Sequence, residues 1–207
     1  MNKSIIIIDY GMGNLGSIAN MIKYLGYKSI ITSDLSQIGS ANKIILPGVG
    51  HFDKAMINIK SNGMLDLIKQ KAIADKIPLL GICLGMQLMC NKSEEGSEIG
   101  LGLIDAEVKR FSFVENQKYK IPHMGWNMVE LKKENLLFSS MLENPRFYFV
   151  HSYHVVCKNE NNVLTTSNYG YNFVSSFAKD NIMGVQFHPE KSHKFGMCLI
   201  KNFIEKT

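Results

Sequence analysis

The chain has 207 residues, of which 45% are hydrophobic and 20% charged, and its formal net charge is +5. This length suits one domain over residues 1–207 with a substantial buried core, and the composition is ordinary for a soluble globular protein. The lysines are scattered along the chain, so the sequence predicts no nucleic-acid partner.

The cysteines and the apolar runs bear on the cellular compartment. None of the four cysteines forms a C-x-x-C pair, which argues against a zinc ribbon or a thioredoxin-type site. The apolar run Ile5–Ile8 is too short for a signal peptide. No segment is long and apolar enough to cross a membrane. We therefore expect a cytoplasmic protein with reduced thiols and no membrane partner.

The first half of the chain alternates strand and helix patterns. The β-branched run Ile5–Ile8 is typical of a strand that is buried on both faces. Further strands are predicted at Ser29–Thr32, Lys43–Leu46 and Ile77–Ile82, with helices at Leu15–Leu25 and beyond Gly50, the second broken near Gly63. This alternation predicts a parallel sheet with helices on both faces.

The second half contains shorter strand patterns separated by polar turns. We predict strands at Val108–Phe113, Trp126–Leu131, Phe147–Val156, Val163–Ser167, Phe173–Phe177 and Gly184–Phe187, and a closing amphipathic helix at Phe195–Ile204. The predicted fold is therefore α/β, with a mostly parallel central sheet flanked by helices and an antiparallel or mixed extension.

The strongest local motif, Gly81-Ile82-Cys83-Leu84-Gly85, follows the fourth predicted strand. It has the G-x-nucleophile-x-G form of a sharp turn between a strand and a helix. Such a turn strains the backbone at Cys83, and small neighbours avoid clashes there. A helix beginning after Cys83 favours its thiolate. Taken alone, the motif fits a buried cysteine in a Gly-flanked turn equally well.

A second motif, His188-Pro189-Glu190, follows the last predicted strand. Imidazole titrates near neutral pH, so His188 can accept and donate the protons that a thiolate nucleophile requires. Glu190 lies two residues further on and can hold the imidazole tautomer, as the carboxylate of a triad does. Taken alone, a surface turn with a solvated histidine and glutamate is the better interpretation.

A third motif, Pro47-Gly48-Val49-Gly50, follows the third predicted strand. Its backbone N–H groups, together with the N–H of Leu84, would form an oxyanion hole, although a plain loop is the simpler interpretation. All three motifs lie at carboxyl ends of predicted strands, which is where open α/β sheets bind ligands. Their convergence predicts one catalytic site.

With these motifs the chain resembles the class I glutamine amidotransferase family over essentially its whole length. The segments that carry the resemblance are Asp9–Asn14, Pro47–Gly50, Leu80–Gln87, Pro122–Asn127, Phe149–Tyr153 and Gln186–Ser192. The resemblance implies a flavodoxin-like fold and hydrolysis of glutamine by a Cys83–His188–Glu190 triad. It implies no metal and no organic cofactor.

The resemblance also implies roles for residues around the triad. Gln87 and Glu95 would hold the substrate glutamine, and a carboxylate such as Glu95 suits its α-ammonium group. His151, Ser152 and Tyr153 would line the same pocket.

Within the family, the chain is most similar to glutaminase subunits that form a heterodimer with a (β/α)₈-barrel cyclase in histidine biosynthesis. Ammonia released into water would mostly become unreactive ammonium, so a synthase partner must receive it directly. Asn14, Trp126, Tyr148 and Lys191 are the candidates for the partner-facing rim. Paralogues that supply a sugar amidotransferase in surface-polysaccharide pathways are the alternative.

Other interpretations have less support. A non-catalytic module or a cysteine peptidase would leave the intact triad and Gln87 unexplained. Gly11-x-Gly13-x-x-Gly16 matches a dinucleotide fingerprint, but the chain has no room for a substrate domain. His151 and His154 would point to opposite faces of one strand, which argues against a shared metal ion.

Overall fold

The computed structural model describes residues 4–114 and 119–207. The strands among these residues are β1 (Ile5–Ile8), β2 (Ser29–Thr32), β3 (Lys43–Leu46), β4 (Leu79–Ile82), β5 (Lys92–Ser93), β6 (Ala106–Arg110), β7 (His123–Met128), β8 (Glu130–Leu131), β9 (Arg146–His151), β10 (Tyr153–Cys157), β11 (Val163–Tyr169), β12 (Tyr171–Lys179) and β13 (Ile182–Val185). The α-helices are α1 (Leu15–Tyr24), α2 (Leu35–Gly39), α3 (Phe52–Ser61), α4 (Met64–Lys69), α5 (Leu84–Leu88) and α6 (His193–Lys206).

One large sheet carries most of the strands. Its parallel half has the order β2-β1-β3-β4-β13. Strand β12 pairs antiparallel with β13, and the sheet continues through β10 and β6 to β5. Strands β7 and β9 form a separate antiparallel ribbon. The predicted architecture, a mostly parallel sheet with a mixed extension, is confirmed.

Helices cover both faces of the parallel half. Ile6 and Ile8 of β1 pack on one face with buried residues of α2, α3, α4 and α5. Ile5 and Ile7 pack on the other face with α1 and α6. Because alternate side chains of a strand point to opposite faces, an all-isoleucine strand fills both layers of the core.

The register of three parallel strands positions the motifs. Leu46 of β3 pairs with Gly81 of β4, and Ile82 pairs with Val185 of β13. The loops that follow these strands therefore leave the same edge of the sheet as neighbours.

The strand predictions for the second half need correction. The single strand predicted at Phe147–Val156 is wrong, because the chain breaks at Ser152 into β9 and β10, which belong to different sheets. Phe149 and His151 are buried in β9, and His154 and Val155 are both buried in β10. The strand predicted at Trp126–Leu131 likewise divides into β7 and β8.

The helix predictions hold with small shifts in their bounds. The break near Gly63 is confirmed, since Gly63 has φ +68° between α3 and α4. The closing helix α6 extends beyond the predicted Phe195–Ile204 at both ends. None of the helices in the described residues is long and apolar enough to cross a membrane.

Candidate active site

Cys83 lies in a strained turn between β4 and α5. Its φ of +54° and ψ of −110° are unusual for a residue with a side chain. The flanking glycines are sterically required. A Cβ on Gly85 would lie 1.8 Å from the carbonyl oxygen of Leu46, and one on Gly81 would lie 2.7 Å from the carbonyl oxygen of Gly85. The turn therefore holds the thiol over the end of the sheet.

The helix after Cys83 is short. Helix α5 has only five residues, Leu84–Leu88. A single turn has a small macrodipole, so the support for a thiolate that we expected from this helix is weak. A positively charged side chain near the sulfur is the stronger source of such support.

His188 provides that charge. Burial lowers the pKa of His188, but the Cys83 thiol and the Glu190 carboxylate outweigh it and raise the pKa to about 10. The Nδ1 atom of His188 lies 2.8 Å from Oε1 of Glu190, and both side chains are almost fully buried. Among the described residues, Nε2 of His188 has no hydrogen-bond partner. This nitrogen is therefore the one available to a thiol or a substrate.

Two glutamines extend the polar contacts of Cys83. Nε2 of Gln186 lies 3.7 Å from the Cys83 sulfur, and Oε1 of Gln186 accepts a hydrogen bond from Nε2 of Gln87 at 3.0 Å. Nε2 of Gln87 also donates to the carbonyl oxygen of Tyr153 at 3.0 Å. The sequence analysis assigned no role to Gln186. Its place two residues before His188, on a fully buried turn, was the available signal.

A cavity of about 300 Å³ opens beside Cys83. Its lining brings together nearly all of the residues predicted to bind glutamine. They are Val49, Gly50, Leu84, Gln87, Glu95, His151, Ser152 and Tyr153. Gly48 is not part of this lining, and Pro122 and Val150 are lining residues to which the sequence analysis gave no role. The volume suits a small ligand of amino-acid size.

Glu95 lies where the start of α3 meets this cavity. Its Oε2 accepts a hydrogen bond of 2.9 Å from the N–H of Phe52, the first residue of α3. Its own N–H donates to Oγ of Ser93 at 3.1 Å. These contacts hold the carboxylate at the cavity wall.

One of the predicted oxyanion donors, the N–H of Leu84, already forms a hydrogen bond within the protein. The N–H of Leu84 donates to the carbonyl oxygen of Gly48 at 3.3 Å. The Leu84 N–H is therefore engaged by this carbonyl and is not free to donate to a developing oxyanion. The loop is confined at this point, because a Cβ on Gly48 would lie 2.5 Å from the Tyr10 hydroxyl oxygen and 2.8 Å from Cβ of Leu84.

Tyr10 holds the preceding peptide of the same loop. Its buried hydroxyl donates to the carbonyl oxygen of Pro47 at 2.6 Å, and burial raises the pKa of Tyr10 well above its ordinary value. The next glycine, Gly50, has φ +118°, a conformation that favours glycine. The loop thus has one fixed peptide followed by conformationally permissive residues.

Three of the four predicted rim residues contact one another. Nζ of Lys191 lies 5.5 Å from the centre of the Tyr148 ring, and the Trp126 and Tyr148 ring centres are 6.3 Å apart. His193 stacks on Trp126 at 5.5 Å. Asn14 precedes α1 and forms no hydrogen bond or ring contact with this group in the described parts of the chain.

The outer face of the β7–β9 ribbon is apolar and exposed. Met124, Trp126 and Met128 have exposed fractions of 62%, 45% and 55%. They alternate with His123 and Asn127, which face the other way. This period-two pattern is present in the sequence and was the signal that could have added the two methionines to the rim.

We predicted that His151 and His154 lie on one strand and point to opposite faces. This is wrong, because the two residues belong to different strands, β9 and β10. Both are buried and both pack against Phe111, with ring-centre distances of 5.2 Å and 4.8 Å. His154 lies 3.0 Å from the Tyr171 hydroxyl, and His151 lies 3.2 Å from His123.

The fold and this site agree with a family comparison. The family model "Glutamine amidotransferase class-I" matches residues 6–207. The chain belongs to the class-I glutamine amidotransferase family.

Two curated relatives narrow the comparison. The chain is 55% identical to "Imidazole glycerol phosphate synthase subunit HisH 2" of Methanococcus maripaludis, over 98% of this chain and 100% of that protein. It is 46% identical to the protein of the same name from Pseudomonas aeruginosa, over 97% of this chain and 98% of that protein.

Solved structures support the fold. A glutamine amidotransferase of Thermotoga maritima has a TM-score of 0.66 and 19% identity, and the match covers 99% of this chain and 82% of that one. PurLQS from the same organism has a TM-score of 0.73 and 16% identity, over 99% and 98% of the two chains.

Proposed function

We propose that this chain is the glutaminase subunit of an imidazole glycerol phosphate synthase. The observation that carries the proposal is the full-length similarity to HisH subunits, at 55% and 46% identity. The Cys83–His188–Glu190 group beside a cavity of amino-acid size supports it. The ammonia would pass to a (β/α)₈-barrel cyclase subunit, and the products would be imidazole glycerol phosphate and AICAR.

The first half-reaction forms a thioester. The Cys83 thiolate attacks the side-chain carbonyl carbon of glutamine, and the carbonyl oxygen becomes an oxyanion. As the C–N bond breaks, the imidazolium of His188 donates its proton to the leaving nitrogen, and ammonia departs. The raised pKa of His188 keeps this proton in place at neutral pH.

The second half-reaction regenerates the thiol site. Neutral His188 accepts a proton from a water molecule, whose oxygen attacks the γ-glutamyl thioester. The C–S bond breaks, glutamate is released, and the thiolate and imidazolium pair returns. Glu190 stabilises the imidazolium and fixes its orientation through the bond to Nδ1.

The cavity residues account for glutamine recognition. We assign the glutamine α-ammonium to Glu95, whose carboxylate is fixed at the cavity wall by the Phe52 N–H. Gln87, His151, Ser152 and Tyr153 complete the walls around the side chain. The cavity needs no metal ion for this task.

The loop 47–50 would act as the switch of the enzyme. The Gly48 carbonyl that accepts from the Leu84 N–H would be a resting arrangement, because the Leu84 donor is then engaged. Reversal of the Gly48–Val49 peptide plane would replace the carbonyl by an N–H and release the Leu84 donor. The reversal changes ψ of Gly48 and φ of Val49, and glycine at position 48 lowers its share of the cost.

The partner would dock on the rim formed by Trp126, Tyr148 and Lys191, with Asn14 at its margin. Exposed Met124 and Met128 extend this rim along β7. An apolar centre with a basic edge suits a stable protein interface. A docked partner would cover the exit of the cavity and receive ammonia before water does.

One domain over residues 1–207 and a cytoplasmic location belong to the same proposal. The four cysteines are free thiols, as they are in a reducing compartment.

A second candidate partner is favoured by one observation. Both relatives named above carry the number 2 in their names. A second copy can serve another ammonia acceptor, and a sugar amidotransferase of surface-polysaccharide biosynthesis is the candidate.

Reconstitution tests the proposal. The chain is mixed with the cyclase subunit of the same organism, glutamine and the phosphoribosyl aminoimidazole-carboxamide nucleotide, and AICAR formation is followed. Glutamine should support synthesis with this partner. If ammonium salts support the cyclase and glutamine does not, the proposed partner is wrong. Glutamine-dependent amidation with the sugar amidotransferase would then identify the second candidate.

A further inference from the structure

A chain of hydrogen bonds runs from the partner-facing ribbon to the cavity. His123 of β7 pairs in register with His151 of β9, and the two side chains lie on the inner face of the ribbon. Nδ1 of His123 lies 3.2 Å from Nε2 of His151. Nδ1 of His151 lies 2.7 Å from the carbonyl oxygen of Tyr153, which lines the cavity.

The direction of each bond is determined by its partners. A carbonyl oxygen only accepts, so Nδ1 of His151 carries the hydrogen that meets Tyr153. Burial lowers the pKa of His151 to about 3 and that of His123 to about 4, so both rings are neutral. Nε2 of His151 therefore accepts, and Nδ1 of His123 donates to it.

Asn127 anchors the outer end of this chain of bonds. Its Oδ1 accepts from the N–H of Met128 at 2.8 Å, and its Nδ2 donates to the carbonyl oxygen of Asn168 at 2.8 Å. The amide orientation is therefore fixed, and the same Nδ2 faces Nε2 of His123 at 3.3 Å. His123 thus accepts on one side and donates on the other.

The inner end reaches the sulfur. The Tyr153 carbonyl that accepts from His151 also accepts from Nε2 of Gln87. Gln87 donates in turn to Gln186, whose Nε2 is directed at Cys83. Each group in this series of hydrogen bonds is buried or half-buried. Loss of one of these bonds removes a partner from a polar atom that has little access to water.

We propose that His123 is a positioning residue for the glutamine cavity, acting through the His151 ring and the Tyr153 carbonyl rather than by touching substrate. This inference rests on the proposed function. Its basis is the set of bonds that runs in one donor direction from Asn127 through His123 and His151 to the Tyr153 carbonyl, which also accepts from Gln87. Because His123 and Trp126 lie on opposite faces of one ribbon, the residue that shapes the cavity shares its strand with the docking rim.

The test compares three variants of the full chain in complex with the cyclase. His123→Phe keeps a ring beside Tyr169 and Phe149 but removes both nitrogens. His123→Asn keeps a donor at the Nδ1 position. His154→Phe is the matched control, since His154 is a buried histidine against the same Phe111 but bonds to Tyr171 and Val155.

The readout is alkylation of Cys83 by a diazoketone analogue of glutamine and, separately, by iodoacetamide. For His123→Phe we expect the half-saturating concentration of the analogue to rise about tenfold or more, as the loss of one buried hydrogen bond implies. Iodoacetamide, which needs no glutamine cavity, should react at the wild-type rate. His123→Asn should restore most of the affinity, and His154→Phe should match wild type.

The inference is overturned if His123→Phe binds the analogue as wild type does, or if His154→Phe loses as much affinity as His123→Phe. Should His123→Phe not fold, His123→Gln takes its place, because its amide lacks a donor at the Nδ1 position. Equal affinities of His123→Gln and His123→Asn for the glutamine analogue would then overturn the inference. Wild type that is not labelled at Cys83 overturns the proposed function and this inference with it.

Discussion

His188 lies between a thiol and a carboxylate, and its protonation state decides what the site can do. Burial alone would leave the imidazole neutral, whereas Cys83 and Glu190 together raise its pKa to about 10. In the proposed mechanism, an imidazolium beside the sulfur supplies the proton that the leaving ammonia needs. The opposing effects on this one ring leave it protonated at neutral pH.

Cys83→Ser should abolish synthesis that depends on glutamine. The loss should be at least about a hundredfold, because the thiolate is the nucleophile. Synthesis from ammonium salts with the partner should survive, since only the ammonia source is lost. Cys198→Ser is the control, because Cys198 is half-buried on α6 and its sulfur contacts the Ser140 carbonyl oxygen rather than a triad residue. Retained glutaminase turnover in Cys83→Ser would show that the nucleophile is another residue.

Glu190→Gln should move the alkaline limb of the kcat–pH profile to lower pH. A raised pKa keeps the imidazolium protonated as the pH rises, and in the wild type this holds until about pH 10. Removal of the carboxylate charge lowers the pKa of His188, so the proton donor is lost at a lower pH. Profiles from about pH 6 to about pH 11 measure the shift. The same alkaline limb in Glu190→Gln and in Glu160→Gln, a surface control, would contradict the role of Glu190.

Most residues of the candidate site could be predicted from the sequence. The hydrogen bonds that connect these residues to others behind the cavity could not. Cys83, His188 and Glu190 stand in local motifs that are ambiguous singly, and the triad was predicted from their convergence at strand ends and from the family resemblance. The bonds of Gln186 to Gln87 and of His123 to His151 join residues far apart in the chain. Such contacts depend on strand register, which no local pattern specifies.

At the scale of elements, the β4–Cys83–α5 turn depends on close passage over β3. Gly85→Ala should lower the free energy of unfolding by about 1–3 kcal/mol or more, because the new Cβ would meet the backbone of Leu46 rather than a flexible side chain. Gly16→Ala is the control. Nothing lies within 4 Å of a Cβ at Gly16 in α1, so that change should stabilise by about 0.5–1 kcal/mol. Equal melting temperatures for the two variants would contradict the packing argument.

The strands differ in how well their bounds could be predicted from the sequence. Strands Ile5–Ile8, Ser29–Thr32 and Lys43–Leu46 have the predicted bounds. The first and third are short buried apolar runs between turns, whereas Ile30 and Ile31 of β2 are exposed at the edge of the sheet. The break at Ser152 was missed. The apolar pattern continues across it, and only pairing with β7 on one side and β6 on the other separates β9 from β10.

At the scale of the whole molecule, the ribbon β7–β9 links the cavity to the surface. Trp126→Ala should raise the Kd of the complex with the cyclase about tenfold or more, since exposed tryptophans on apolar patches dominate binding energies. Isothermal titration calorimetry measures the change. Ile73→Ala, a change at an exposed apolar residue outside the ribbon, is the control. An unchanged Kd for Trp126→Ala would place the interface elsewhere.

The proposed switch in the loop 47–50 also predicts how the partner changes the rate of glutamine hydrolysis. The Leu84 N–H donates to the Gly48 carbonyl oxygen, so under the proposed switch the isolated chain would lack a complete oxyanion hole. A missing donor of this kind lowers kcat by about a hundredfold to a thousandfold. A partner that favours the reversed loop by a few kcal/mol would restore the rate, since about 1.4 kcal/mol corresponds to tenfold.

The most direct test is the steady-state kinetics of glutamine hydrolysis by the chain alone, with the cyclase, and with the cyclase plus an acceptor analogue. We expect low turnover from the chain alone and a rise of about a hundredfold or more with partner and acceptor. The rise should be mainly in kcat, because the oxyanion donor acts in the transition state. Full kcat from the chain alone would contradict the account.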